Sequence, residues 1–235
     1  MEKMIIQGKQ VKKVFANGDI EVTAVNEIDF SINKGELVVI LGQSGAGKST
    51  LLNLLGGMDT LTSGSLLIDE EDVSKYTQKD LINFRRNKIG FVFQFYNLMP
   101  NLTAKENVEL ATELKKNALD PTQVLVSVGL KDKLDNFPSQ LSGGEQQRVS
   151  IARAVAKNSD IILCDEPTGA LDYETGKEIL SLLSKEAKEE GKTVIIVTHN
   201  SAIADMADHL IKLRNGKIIY DEYNSSPKRI EDIEW

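Results

Sequence analysis

The residues Gly42-Gln43-Ser44-Gly45-Ala46-Gly47-Lys48-Ser49 follow the pattern G-x-x-x-x-G-K-[ST]. An apolar run at 37–41 precedes this stretch, and a segment of helical character at 50–55 follows it. A glycine-rich loop between a strand and a helix turns its backbone N–H groups toward an anion, and the start of the helix adds unpaired N–H groups and a positive dipole end. The stretch therefore predicts a phosphate-binding loop rather than a glycine-rich turn with an unrelated lysine, because the strand, loop and helix signals occur in the required order.

Within this loop we expect Lys48 to contact the β- and γ-phosphates of a nucleotide and Ser49 to hold Mg²⁺. The residues expected to surround the phosphates are Gly42, Ser44, Gly45, Ala46, Gly47, Lys48, Ser49 and Thr50.

The composition limits the class of protein. The chain has 235 residues, of which 41% are apolar, and its net charge is −7. This length suits one α/β domain with an inserted subdomain, and the negative charge disfavours nucleic acid as a partner. The single cysteine, Cys164, cannot form an internal disulfide, so we expect a cytosolic setting and a role in core packing. No run approaches 18 apolar residues, so any membrane role should depend on a partner.

Hydrophobic patterning predicts an alternation of strands and helices. Turn signals at 17–19 and 33–35 divide residues 4–41 into short strands, and the apolar spacing over 95–158 predicts several helices inserted between two strands of one sheet. Further strands are predicted at 66–68, 89–94, 161–164 and 194–197, with a helix at 174–190 and a hairpin around 214–216. Such alternation predicts a mostly parallel sheet with its ligand at the carboxyl ends of the strands.

The run Ile161-Ile162-Leu163-Cys164-Asp165-Glu166 combines four apolar residues with two carboxylates. A buried strand that ends in this way places Asp165 where it can coordinate Mg²⁺ and Glu166 where it can accept a proton from water. The alternative is that the pair caps the turn at Pro167. The presence of a phosphate-binding loop elsewhere in the chain favours the nucleotide interpretation.

The stretch Leu141-Ser142-Gly143-Gly144-Glu145-Gln146-Gln147-Arg148 begins another helix. Ser142 and Glu145 have the spacing of a capping box, and the two glycines leave N–H groups accessible to an anion. This stretch would be a second anion-binding surface, although the phosphate-binding loop is already sufficient for one nucleotide.

This stretch resembles the signature motif of ABC-type ATPases, and other motifs occur in that family's order over roughly residues 4–220. Gln94 resembles the Q-loop glutamine, 170–172 the D-loop and His199 the switch-loop histidine. Phe15 lies where the family has an adenine-stacking aromatic, usually tyrosine, although the residues alone leave simple packing open. His199 likewise has the alternative of capping a strand end.

The strings at 55–59, 93–100 and 165–172 are similar to one subgroup of that family. The subgroup contains MacB-type and lipoprotein-releasing transporters, FtsE-type proteins and antimicrobial-peptide-resistance ATPases. Cys164 and Ala170 depart from its commonest residues.

The resemblance implies a RecA-like P-loop core with a mostly parallel sheet, an N-terminal antiparallel β-subdomain and an inserted α-helical subdomain. Residues 1–94 and 160–220 would form the nucleotide-binding core with the β-subdomain, and 95–159 the helical subdomain. Residues 221–235 form a polar tail to which we assign no role.

The resemblance also implies a head-to-tail homodimer that encloses two ATP molecules, each on the phosphate loop of one chain and under the signature motif of the other. The catalytic residues would then be Lys48, Gln94, Glu166 and His199, and the Mg²⁺ ligands Ser49, Gln94 and Asp165. The additional nucleotide contacts would come from Phe15, Ser142, Gly143, Gly144, Glu145 and Asp172.

By this resemblance the chain is expected to hydrolyse ATP for a separate membrane permease, contacted through Phe95–Val108 at the inner face of the cell membrane. Export or membrane extraction of a peptide, lipoprotein or drug is the favoured activity. The alternative is an FtsE-like mechanical regulator without transport. A DNA-repair-type ABC ATPase is disfavoured, because the chain is acidic and lacks sustained heptads.

Overall fold

A computed structural model describes residues 3–18, 20–113 and 115–233. The strands are β1 (Met4–Asn17), β2 (Ile20–Asn33), β3 (Leu37–Leu41), β4 (Ser63–Ile68), β5 (Glu71–Asp72), β6 (Ile89–Val92), β7 (Ile161–Asp165), β8 (Thr193–Thr198), β9 (His209–Arg214) and β10 (Lys217–Tyr223). The α-helices are α1 (Lys48–Leu55), α2 (Gln78–Lys88), α3 (Ala104–Thr112), α4 (Pro121–Ser127), α5 (Gly143–Ala156) and α6 (Tyr173–Lys188). None of the helices in these described ranges is long and apolar enough to cross a bilayer.

The N-terminal part forms a four-stranded antiparallel sheet in the order β2-β1-β4-β5. The predicted short strands are wrong here, because β1 and β2 each run for 14 residues. Register shifts accommodate residues that interrupt the alternation, and Gln10 and Glu27 take positive φ angles of 48° and 51° along these strands. Of the predicted turn at 17–19, Asp19 lies outside the described residues.

The second sheet has six strands in the order β10-β9-β3-β8-β7-β6. The five strands from β9 to β6 are parallel to one another, and β10 pairs with β9 as the predicted antiparallel hairpin. The central strands are buried on both faces, which explains their continuous apolar runs. The mixed α/β fold with a mostly parallel core sheet is therefore confirmed.

The helical region from α3 to α5 lies in the chain between β6 and β7, which are direct neighbours in the sheet. It is thus an insertion between two strands of one sheet, as the spacing predicts. Each of its three helices begins at a side chain that accepts a backbone N–H bond, namely Thr103, Asp120 and Ser142.

The sequence interpretation did not include α2. This helix begins with a complete capping box between Thr77 and Asp80, and it buries only Leu81 and Phe84. A helix with two buried residues has a weak periodic signal, so the capping box was the only strong local sign of it.

Two apolar clusters cover opposite faces of the six-stranded sheet, because successive residues of a strand alternate between its faces. Val39 of β3 packs on the side of α5 and α6, whereas Val38 and Ile40 pack on the side of α1 and the N-terminal sheet. Cys164 is fully buried in the first cluster, and burial raises the pKa of its thiol. This confirms Cys164 as a core residue.

Candidate active site

A cavity of about 920 Å³ opens at the carboxyl edge of the six-stranded sheet. It is lined by Val22, Thr23, Ala24, Gln43, Ser44, Gly45, Ala46, Gly47, Lys48, Ser49, Thr50, Gln94, Asp165, Glu166, His199 and Asn215. The structure therefore brings together residues that follow β3, β6, β7 and β8 in the chain, because parallel strands end at one edge of a sheet.

The glycine-rich loop is fixed by close backbone contacts. Gly47 has a φ of 101°, and a Cβ added to it would lie 2.2 Å from the carbonyl oxygen of Ala24. Only glycine fits this combination of conformation and space. Gly47 is also the N-cap of α1 and supplies no side-chain cap, so the N–H groups of the first turn remain available to a ligand in the cavity.

Lys48 is nearly buried, with 7% of its surface exposed. Its Nζ donates to the carbonyl oxygen of Gln43 at 3.1 Å and lies 3.8 Å from Glu166 Oε1. The ammonium group is thus held beside the loop, on the side of the carboxylates, where it would meet the phosphates of a nucleotide.

Ser49 and Asp165 meet across the cavity, since the Ser49 hydroxyl donates to Asp165 Oδ1 at 3.1 Å. Burial and the neighbouring charge of Glu166 raise the pKa of Asp165, and the bond from Ser49 and the charge of Lys48 offset this only in part. A cation beside this carboxylate would relieve the cost of its charge.

Whether these residues suit Mg²⁺ can be judged from their oxygen atoms. A hydroxyl from Ser49, a carboxylate from Asp165 and an amide oxygen from Gln94 are hard ligands, as Mg²⁺ prefers, and few protein ligands suffice when phosphates complete the octahedron. No group of three or more His, Cys, Asp and Glu side chains suited to a metal occurs within the described ranges. The residues fit a magnesium ion that shares its coordination with a nucleotide.

Glu166 has a left-handed backbone, with a φ of 45° that is uncommon for a non-glycine residue. Its carboxylate accepts a bond from the Thr198 hydroxyl at 2.9 Å, and its other oxygen lies 2.9 Å from His199 Nδ1. The carboxylate is therefore held in one orientation at the cavity wall. His199 also lines the cavity, and 66% of its side chain is exposed, so the ring is accessible to a ligand there.

The predicted signature residues, 142–145, do not line this cavity. They begin α5, where Ser142 and Glu145 form the predicted capping box. A Cβ on Gly143 would lie 3.0 Å from the Tyr96 hydroxyl, and one on Gly144 would lie 2.4 Å from Thr175 Cγ2. Close packing within the chain thus supplies a second reason for these glycines.

Three other predicted contacts also lie outside the cavity lining. Asp172 caps α6 by accepting the Thr175 N–H bond. Phe15 is 45% exposed and pairs across the strands with Val22, which does line the cavity. Gly42 packs against the backbone, since an added Cβ would be 2.6 Å from the carbonyl oxygen of Leu213.

The sequence interpretation missed four lining residues outside the loop, namely Val22, Thr23, Ala24 and Asn215. The first three belong to β2, which reaches the loop through tertiary contacts. For Asn215, the Asn-Gly pair indicated a hairpin but carried no sign of what the turn would face.

The comparisons with known proteins agree with one another. The family model described as "ABC transporter" matches residues 25–169. The chain is 47% identical over 225 residues to the "Macrolide export ATP-binding/permease protein MacB" of Brucella melitensis, which covers 92% of this chain. It is 46% identical over 224 residues to an "ABC transporter ATP-binding protein" of Thermotoga maritima, covering 92% of this chain and 94% of that protein.

Among solved structures, the chain is similar to the ATP-binding cassette MJ0796 in a dimeric post-hydrolysis state bound to ADP and Pi. The TM-score is 0.86 at 41% identity, covering 93% of this chain and 98% of that chain. A second dimeric structure of that cassette gives a TM-score of 0.87. The chain spans only 34% of the Brucella MacB protein and 51% of a Mycoplasma pneumoniae relative.

Proposed function

The chain belongs to the ABC transporter family and is an ATPase, and on that premise we propose that it drives a membrane permease by hydrolysing ATP in the cavity described above. One observation carries the site: a phosphate-binding loop, the Ser49–Asp165 pair and an oriented Glu166 carboxylate meet in one cavity.

Each residue has a proposed role that follows from its geometry. Lys48 and the loop N–H groups bind the phosphates, and Glu166 accepts the proton of the attacking water. His199 contacts the γ-phosphate, beside the carboxylate that it orients. Most of the rate enhancement then comes from positioning and from stabilising the developing charge.

Mg²⁺ would be held by Ser49, Asp165 and Gln94 and would neutralise part of the phosphate charge. The raised pKa of Asp165 supports this assignment, because burial makes its carboxylate costly without a cation.

We propose that two copies close head to tail on two nucleotides, with Ser142, Gly143 and Gly144 of one copy covering the nucleotide of the other. Two features support this. The signature residues do not line the cavity of their own chain, and the similar cassette MJ0796 is dimeric in two structures. The γ-phosphate would link the copies, so its loss would separate them.

The proposed permease contact is the segment Phe95–Val108. Phe95 is 78% exposed and Met99 is 49% exposed, and large apolar side chains exposed close together in one segment favour a protein partner. The relatives named MacB are called "Macrolide export ATP-binding/permease protein", which supports a MacB-like export or extraction activity at the inner face of the membrane.

The proposal is tested by isolating membranes that contain the tagged chain and identifying the proteins that co-purify. Phe95→Asp should lose the membrane partner while the purified chain retains its basal ATPase activity. Ile219→Asp on β10 is the matched control, since Ile219 is also exposed, at 51%, but lies outside the proposed contact segment.

Recovery of a multispan permease with the control and not with Phe95→Asp supports the proposal. Equal recovery with both variants contradicts the proposed contact. Recovery of a membrane-bound cell-wall regulator that moves no substrate would instead identify a mechanical role.

A further inference from the structure

The turn between β9 and β10 lies against the phosphate-binding loop, although the two segments are far apart in the sequence. The Gly216 N–H donates to the Ala46 carbonyl oxygen at 3.0 Å, and the Asn26 N–H donates to the Gly216 carbonyl oxygen at 2.8 Å. The turn is therefore tied both to the loop and to β2. Its position relative to a bound nucleotide is set by backbone bonds.

The conformation of this turn is equally restricted. Asn215 and Gly216 have φ angles of 51° and 73°, as the two central residues of a type I′ hairpin require. A Cβ on Gly216 would lie 2.9 Å from the Ala24 carbonyl oxygen, so this glycine cannot be replaced without a shift. The side chain of Asn215 thus leaves the backbone from a fixed point at the cavity wall.

The order of the strands tells which part of a nucleotide this side chain faces. Along the carboxyl edge the sheet runs β9-β3-β8-β7-β6, so Asn215 follows β9 on one side of the phosphate-binding loop. His199, Glu166 and Gln94 follow β8, β7 and β6 on the other side. The groups proposed to act on the γ-phosphate are therefore on the side of the loop opposite to Asn215.

The wall around Asn215 differs chemically from the opposite wall. Val22, Thr23 and Ala24 line the same side and carry no charge. Among the described residues, none forms a hydrogen bond with the Asn215 side chain. A primary amide offers both donors and an acceptor, which matches a sugar hydroxyl or a base edge better than it matches a phosphate.

We propose that the Asn215 amide hydrogen-bonds the nucleoside part of the bound nucleotide, through its sugar or the edge of its base, and so contributes to nucleotide selection. This inference rests on the ATP site proposed above. A requirement for the left-handed turn alone would explain asparagine as well, but that requirement is met equally by glycine.

The test is to measure binding of ATP, 2′-deoxy-ATP and GTP to the full chain and to Asn215→Gly by titration calorimetry. Glycine keeps the left-handed conformation and removes the side chain that carries the amide. Loss of one net hydrogen bond should weaken ATP binding by about 3- to 10-fold. Arg214→Ala is the matched control: Arg214 is the exposed last residue of β9, next to the turn but outside the cavity lining, and this variant should bind all three nucleotides as the unchanged chain does.

The analogues identify the contact. If Asn215→Gly no longer distinguishes ATP from 2′-deoxy-ATP, the amide contacts the sugar; if it no longer distinguishes ATP from GTP, the amide contacts the base. Unchanged affinities overturn the inference, and so does an equal loss for all three nucleotides. Failure of the unchanged chain to bind ATP would refute the proposed ATP site itself. An effect confined to Asn215→Gly would be consistent with that site.

Discussion

The hydroxyl of Ser49 donates a hydrogen bond of 3.1 Å to Asp165 Oδ1, although 116 residues separate the two in the chain. Ser49 follows β3 and Asp165 ends β7, and β8 lies between these strands in the sheet. The pair spans the width of β8 at the carboxyl edge, where the proposed Mg²⁺ would be held. The bond shows that the two motifs form one site.

Ser49→Ala removes one proposed magnesium ligand and the bond to Asp165. We expect affinity for ATP in the presence of Mg²⁺ to fall by about 10- to 100-fold, because a hydrogen bond or ligand to a charged group contributes ~1.5–3 kcal/mol. Titration with and without EDTA measures this. The exposed Ser63→Ala should bind as the unchanged chain does, and an equal loss for Ser49→Ala in EDTA would contradict a role in magnesium binding.

Glu166→Gln removes the proposed general base while keeping the size of the side chain. Hydrolysis should slow by about 10²- to 10⁴-fold, whereas ATP binding persists. With Mg²⁺ and ATP the variant should accumulate as a dimer, visible by light scattering after size exclusion. The control is Glu190→Gln, at an exposed position outside the cavity. Turnover near the normal rate would show that Glu166 is not the base.

Asp165→Asn should raise the melting temperature of the nucleotide-free chain at neutral pH. Burial and the charge of Glu166 raise the pKa of Asp165, so the folded chain binds its proton more tightly than the unfolded chain does. Stability then falls as the pH rises from the ordinary aspartate value through the raised one. Scanning fluorimetry should show the gain of the variant at pH 7.5 and its disappearance in acid, whereas the exposed Asp132→Asn should show no gain.

His209 predicts a second dependence of stability on pH. The ring is buried, its Nε2 lies 2.6 Å from Asp221 Oδ1, and its Nδ1 lies 3.7 Å from Glu36 Oε2. Burial lowers the pKa of His209, but these two carboxylates outweigh it and the pKa is raised. The protonated ring therefore stabilises the folded chain. This stabilisation is complete below about pH 6.5 and is lost as the pH rises through the raised pKa of His209.

The melting temperature of the chain should therefore decline as the pH rises above about 6.5, and His209→Gln should flatten this decline. The test is the slope of melting temperature against pH and not the melting temperature itself. The substitution also removes a ring that stacks on Tyr223, with 4.3 Å between the ring centroids, so it lowers stability at every pH. The exposed Lys131→Gln should keep the slope. An unchanged slope in His209→Gln would exclude His209 as its source.

Arg153 on α5 should hold the loop that follows Gln94. Its guanidinium donates to the carbonyl oxygens of Asn97 at 2.6 Å and Tyr96 at 2.9 Å, and both loop residues have left-handed backbones. Arg153→Leu should lower the free energy of unfolding by about 2 kcal/mol and increase hydrogen exchange over 95–99. Arg148→Leu on the same helix, which loses the Glu178 pair instead, should leave exchange in that loop unchanged.

Some features could be predicted because they depend on residues close together in the chain. The phosphate-binding loop, the capping box at Ser142 and the Asn-Gly hairpin are each specified within about eight residues by backbone conformation and local hydrogen bonds. Continuous apolar runs marked the parallel strands, since a strand that is buried on both faces needs them.

Other features could not be predicted because they depend on which strands become neighbours. The sequence by itself determined the chemistry of the cavity: an ammonium group, a hydroxyl and two carboxylates next to a glycine-rich loop. Only the tertiary structure decided that β2 and the turn at Asn215 form its other wall, and that the signature glycines lie outside its lining. The order of strands in a sheet is set by burial and pairing summed over the whole core, and no short stretch of residues contains that information.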